Sequence, residues 1–232
     1  MLQYGMTDEP KTFLSPFGGS WIPDESPPEG QRAALHRLAA ALREATELLL
    51  VTEAPEEELT AAAERAEQFA ARLALAPRAR PLWGFAESSN AGSHRAMFDS
   101  SPVIGLGNPI APPLRLGIVG DHIEGTATFG TQYEGPPGHV HGGIIAAAFD
   151  EVLGMTQSLT GVGGMTGTLT VRYRQPTPLH REVSFSGHPV RVERKKIFVA
   201  GTLHVGDVLC AEAEGIFISV DFERMRQMAA ER

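Results

Sequence analysis

Between residues 114 and 220 the sequence places six strand-like segments one after another, most joined by links of hairpin length. An apolar helical stretch interrupts them once, after the second strand. Segments 114–119 and 122–129 flank a Gly120-Asp121 turn. From residue 142 to about 159, Ile144, Ile145, Ala146, Ala147, Ala148, Phe149, Val152 and Leu153 make a helix that is apolar nearly all round. Such a pattern reads as buried. Segments 166–174, 182–192, 196–205 and 208–220 follow, the last two joined by Gly206-Asp207. Within the first of these, Leu169, Val171 and Tyr173 alternate with Thr168, Thr170, Arg172 and Arg174. Short links between consecutive strands force antiparallel pairing. The one helix must then cover a face of the sheet, giving an α+β layered arrangement in the order β-β-α-β-β-β-β.

The first hundred residues follow other rules. Residues 1–29 are rich in Pro and Gly and read as an extended lead-in. Ser26 with Glu29 forms a capping-box start, with Pro27 in the first helical turn, and Leu35, Leu38, Leu42, Ala45 and Leu49 fall on one stripe. A second pattern opens at Pro55 with Glu56, Glu57 and Glu58, acids suited to the positive end of a helix dipole. Its stripe is Leu59, Ala62, Ala66, Phe69 and Leu73, and Pro77 ends it. The two read as a helical hairpin serving as a packing element. Residues 77–112 are loop-like.

Composition removes whole classes of function. An apolar fraction of 42% supports a real core, and no apolar run approaches the ~18 residues of a membrane span. Twenty Lys and Arg against 28 Asp and Glu give a net charge of −8, which argues against a general nucleic-acid binder. The single cysteine, Cys210, excludes a disulfide scaffold and any cysteine-ligated metal cluster, and is read as a core residue. Residues 1–12 hold no apolar signal core, and the first arginine is Arg32, after Asp8, Glu9, Asp24 and Glu25. The expected address is the cytoplasm.

The chemistry concentrates around the apolar helix. Asp150 stands inside it, where a carboxylate is costly unless paired or functional. Its neighbours three and four residues away are Ala146, Ala147, Leu153 and Gly154, with Gly143 and Gln157 one turn further. Small residues leave a groove there for another molecule. An Asp bonded only to nearby backbone or hydroxyl groups is the plainer alternative. At the helix start, Gly142 and Gly143 offer bare N–H groups and the dipole's positive end, suited to an oxyanion or a phosphate. Eight residues of helix separate Gly142 from Asp150, roughly 12 Å. One carbonyl cannot touch both on the same helix. If the two cooperate, they come from different subunits, which demands a symmetric dimer with two equivalent sites.

The run from His139 through His141, Gly142 and Gly143 to Asp150 resembles the HGG-x(6)-D signature of hotdog-fold acyl-CoA thioesterases of the PaaI-like group. Gly154-Met155, the strand from Met165 through Thr166 to Leu179 with its Arg172-Tyr173-Arg174-Gln175-Pro176 end, and the Glu193–Val199 run are similar to vertebrate thioesterase-superfamily members acting on medium- and long-chain acyl-CoA. The resemblance covers about residues 98–222. It leaves 1–97 as a lead-in with a helical extension and linker, and 223–232 as a tail.

This resemblance implies a long helix wrapped by an antiparallel sheet, dimerising edge to edge, possible also as a dimer of dimers. It implies Asp150 as general base or nucleophile and Gly142 as polariser of the thioester carbonyl from the neighbouring subunit. Thr166 would position the carboxylate or water, and His141 would support the glycine turn and the carbonyl. Gly143 joins the substrate-binding set. No cofactor is expected beyond the coenzyme A of the substrate. A thiolate leaves readily, its conjugate pKa being near ~8.5, so one carboxylate, one water and an oxyanion donor suffice. Water activation and an anhydride intermediate both remain open. A hotdog hydratase would need Asp-x(4)-His on one element, and Met155 stands where that His belongs. A catalytically silent acyl-CoA-binding or regulatory module is the alternative from another class.

Other candidates are less telling. Arg194, Lys195 and Lys196, with Arg191, surround a strand turn and either meet the coenzyme A phosphates or form a solvated turn. Arg172 and Arg174 share the ambiguity. The Gly-rich 161–167 stretch lacks the Lys-Ser/Thr ending of a P-loop and reads as a loop before a strand. His139 and His141 lack a third ligand at useful spacing, so no metal is expected.

Overall fold

The structure, a computed structural model, describes residues 27–76 and 99–219. Most of the lead-in, most of the 77–112 loop and the tail lie outside the described residues. The elements are α1 (Gly30–Leu49), α2 (Glu56–Leu75), β1 (Arg115–Val119), β2 (His122–Thr128), α3 (Gly142–Ser158), β3 (Gly164–Tyr173), β4 (Glu182–Glu193), β5 (Lys196–Val205) and β6 (Val208–Ser219). All six strands form one antiparallel sheet in the order β1-β2-β4-β5-β6-β3. Helix α3 carries the chain from β2 across the sheet, so β3 lands on the opposite edge beside β6. The expected element order, pairing and helix-on-sheet layering are all present.

Alternation fixes which strand face meets the helix. Ile123 and Ala127 of β2, Val183 and Phe185 of β4, Ile197, Val199 and Leu203 of β5, and Ala211, Ala213 and Phe217 of β6 are buried, with exposed or partly covered residues between them. They meet Ile145, Phe149, Val152 and Leu153 of α3, and the Phe149 and Phe185 rings lie edge to face at 5.4 Å. Glycines let the helix settle deeply. A Cβ on Gly187 would overlap Thr156 Oγ1, and one on Gly201 or Gly215 would press on Leu153 at 3.1 and 3.2 Å. Gly187 and Gly201 face each other across β4 and β5, so the track continues under the helix.

The helix is not buried all round. Gly143 and Asp150 are exposed, and Gly142, Ala146, Ala147 and Gly154 are only partly covered. Sequence hydrophobicity marks this stripe as apolar, yet within one chain nothing closes over it completely. Asp150 therefore does not bear the full desolvation cost expected of a buried carboxylate.

The N-terminal helices also depart from expectation. Helix α1 starts at Gly30, with Glu29 as an N-cap that makes no side-chain capping bond, and Pro27 precedes the helix rather than opening it. Successive prolines hold that segment extended. One side of α1 rests on the 99–111 segment. Arg32 and His36 both reach Asp99, at 2.8 and 2.6 Å, and Arg43 donates to the Asn108 carbonyl at 2.8 Å. Helix α2 buries none of its residues and does not pack along α1, so the expected hairpin is not formed.

Candidate active site

Strand β3 is an edge strand, paired to β6 on one side and exposed over most of its length. Thr166 faces Phe217 and Thr168 faces Ile216, so Gly167 forms a bulge between them. Beyond the bulge, Leu169, Val171 and Tyr173 pair with Gly215, Ala213 and Ala211, which lie on the helix side of β6. Phe217 is on that side too. The extra residue therefore turns Thr166 onto the face of Tyr173, toward α3. Strict alternation would have grouped Thr166 with Thr168 and Thr170 on the far face.

Two hydrogen bonds then join β3 to α3. Thr166 Oγ1 donates to Asp150 Oδ1 at 2.8 Å, and the Tyr173 hydroxyl donates to the Gly142 carbonyl at 2.7 Å. The first holds the candidate carboxylate, and the second holds the helix tip. At that tip His141 is the N-cap, and its Nδ1 accepts from the Gly143 amide at 3.0 Å. An accepting Nδ1 carries no proton, so the ring's N–H is on Nε2. Gly143's amide is thereby engaged by the ring of its own N-cap. Gly142's amide makes no protein hydrogen bond among the described residues and is the donor left at the positive helix end. A Cβ on Gly142 would stand 3.2 Å from the Tyr173 oxygen.

The neighbouring acid is the enclosed one. Glu151 accepts from Ser101 Oγ at 2.8 Å, and that hydroxyl in turn receives the Val103 and Ile104 amides at 3.1 and 3.2 Å. Burial pushes the Glu151 carboxyl above the usual range. The Ser101 bond opposes this, and nearby Asp150 adds to it. Helix α3 is thus fastened on two sides, by Asp150 to β3 and by Glu151 to the 101–105 turn.

The basic turn sits at the Thr166 end of the sheet. Phe217 pairs with both Thr166 and Ile197, and the Ser219 amide donates to the Lys195 carbonyl at 2.7 Å. Two strand spacings, about 10 Å, separate the Thr166 and Ile197 backbones. Arg194 holds the left-handed turn position at φ 53°. Arg191 lies over the Phe198 ring at 3.7 Å and donates to Glu193, while Arg172 and Arg174 pair with Glu214 and Glu212 of β6. Arg194, Lys195 and Lys196 make no ion pair among the described residues.

Sequence reasoning missed Tyr173, Glu151 and Ser101. Tyr173 had a signal in sharing the strand of Thr166. Nothing local ties Ser101 to Glu151, fifty residues apart.

A thioesterase superfamily family model matches residues 137–212. A solved crystal structure of a thioesterase superfamily protein is 36% identical, covers 83% of this chain and 97% of its own, and superposes with a TM-score of 0.72. This chain belongs to the thioesterase superfamily. Two curated relatives are the mouse acyl-coenzyme A thioesterase THEM4, 36% identical over 97 residues, and the human acyl-coenzyme A thioesterase THEM5, 31% identical over 96. These matches cover 41% and 40% of this chain and only 42% and 39% of the relatives' lengths. Among the described residues no helix is long and apolar enough to cross a membrane.

Proposed function

We propose that this chain hydrolyses acyl-CoA thioesters, with medium to long acyl groups, to a free acid and coenzyme A. The observation that carries the reading is the Thr166–Asp150 hydrogen bond, on a helix whose own tip offers the Gly142 amide. Asp150 Oδ1 is held by Thr166. The carboxylate takes a proton from water attacking the thioester carbon, or attacks that carbon itself to give an anhydride that water then opens. The carbonyl oxygen gains negative charge and is received by the Gly142 N–H. The carbon–sulfur bond breaks and the thiolate leaves without a dedicated acid. His141 keeps the helix tip in shape.

In this reading the Gly142 and Asp150 serving one substrate come from two copies of the chain, as a homodimer or dimer of dimers. The exposed outer edge of β3 supports such pairing. Arg194, Lys195 and Lys196 receive the coenzyme A phosphates, and no cofactor takes part. The place of action is the cytoplasm, in fatty-acid metabolism. The names of the curated relatives support the thioester class.

Thiol release measured across acyl-CoAs from acetyl to palmitoyl tests this, with Asp150→Asn as control. Release by the native chain and its loss in the variant are expected. Tight acyl-CoA binding without release would instead establish a silent binding module.

A further inference from the structure

The open stripe on α3 has a closed end. Asp150 is exposed, Gly154 one turn on is partly covered, and Gln157 is 2% exposed. Seven residues make two turns, so Gln157 lies on the face of Asp150, about 10 Å further along the axis. Gly154 places no side chain between them, and a Cβ there would meet only the edge of Phe217, at 3.9 Å. On this face of the helix, then, only a glycine stands between the carboxylate position and the amide position.

That amide is not satisfied. Gln157 Oε1 is buried and has no hydrogen-bond partner among the described residues. Its helix neighbours behave otherwise: Thr156 Oγ1 donates to the Val152 carbonyl at 2.7 Å and Ser158 Oγ to the Met155 carbonyl at 2.6 Å. A buried acceptor left unpaired is destabilising, a cost that an apolar side chain of the same length would avoid. Apolar pockets achieve orientation and specificity with a few placed polar groups.

We infer that Gln157 is a specificity-determining residue that accepts a hydrogen bond from a hydroxyl on the acyl group, roughly 10 Å from the thioester carbon. The inference rests on the thioester-hydrolase reading and narrows its substrate class to hydroxylated acyl chains. A site with a buried acceptor rejects the analogue that lacks the donor far more strongly than an apolar pocket discriminates by size.

The test compares hexanoyl-, octanoyl- and decanoyl-CoA with their ω-hydroxy counterparts on the full chain, by thiol release. The same pairs are titrated calorimetrically into Asp150→Asn, where binding is read without turnover. For at least one length the hydroxylated substrate should be preferred tenfold or more in kcat/KM and in affinity. Gln157→Met should erase that preference by lowering kcat/KM for the hydroxylated substrate toward that of its unsubstituted counterpart. Its melting temperature should hold or rise, because no bond is removed. Turnover without discrimination, or a Gln157→Met variant that keeps the preference, overturns the inference and leaves the hydrolase reading intact. A fall of several degrees in Gln157→Met would assign the amide a partner within the protein, which also overturns it. Absence of both turnover and acyl-CoA binding overturns both.

Discussion

Thr166 Oγ1 donates to Asp150 Oδ1 at 2.8 Å only because Gly167 is an extra residue in β3. The bulge sets Thr166 on the helix side of the sheet. Deleting Gly167 would leave Thr166 opposite Phe217 and Thr168 opposite Ile216 in plain alternation, so Thr166 keeps the helix side and only loss of its hydroxyl breaks the bond. Thr166→Val should lower kcat near tenfold, since one hydrogen bond to a charged group is worth ~1.5 kcal/mol, while the Gly167 deletion should lower it far less. Circular dichroism should show the sheet retained. Full activity in Thr166→Val would separate Thr166 from the reaction.

Gly142 and Tyr173 are coupled by contact. A methyl at Gly142 meets the tyrosine oxygen at 3.2 Å, and that hydroxyl holds the Gly142 carbonyl. Gly142→Ala should reduce kcat, and Tyr173→Phe should cost about 1 kcal/mol of stability. The double variant should lose less than the sum, with an interaction energy on the order of 0.5–1 kcal/mol in a double-mutant cycle. Strict additivity would show that the two act separately.

Glu151 makes stability depend on pH in a known direction. Burial raises its folded-state pKa above the unfolded value, so the folded chain binds the proton more tightly. Its stabilising contribution is complete below the ordinary glutamate pKa and is lost as pH rises through the raised one. Glu151→Gln keeps an acceptor for Ser101 without the charge. Chemical denaturation across that window should give a flatter profile for the variant, and greater stability than the native chain at the upper end. Parallel profiles would remove Glu151 as the cause.

Asp99 anchors α1 to the domain through Arg32 and His36, with its side chain only 13% exposed. Asp99→Ala should cost about 2 kcal/mol, a melting shift of roughly 4–8 °C for a chain this size. A change near zero would mean that α1 is held by its other contacts.

Gly187 sits under Thr156 where no Cβ fits. Gly187→Ala should destabilise by roughly 1–3 kcal/mol through overpacking, and Thr156→Ala in the same chain should recover part of it. Thermal melting of the single and double variants reads this directly.

Element order, antiparallel pairing, the span of α3 and the placing of Asp150, Thr166 and Gly142 near one another in sequence motifs were all legible, because periodicity and turn residues act over a few positions. What followed from partners far along the chain was not. Alternation alone puts Thr166 on the wrong face, because a bulge exists only as two residues opposite one on β6. Hydrophobic pattern marks α3 as apolar but cannot say that Glu151, not Asp150, is the enclosed acid, since Ser101 reaches it from fifty residues away. The stripe of α2 predicts a partner, and the fold supplies none within the described residues. Local chemistry chose the elements; register, burial and the engagement of the Gly143 amide by His141 arose only when those elements met, because each is a property of a pair of surfaces and not of a segment.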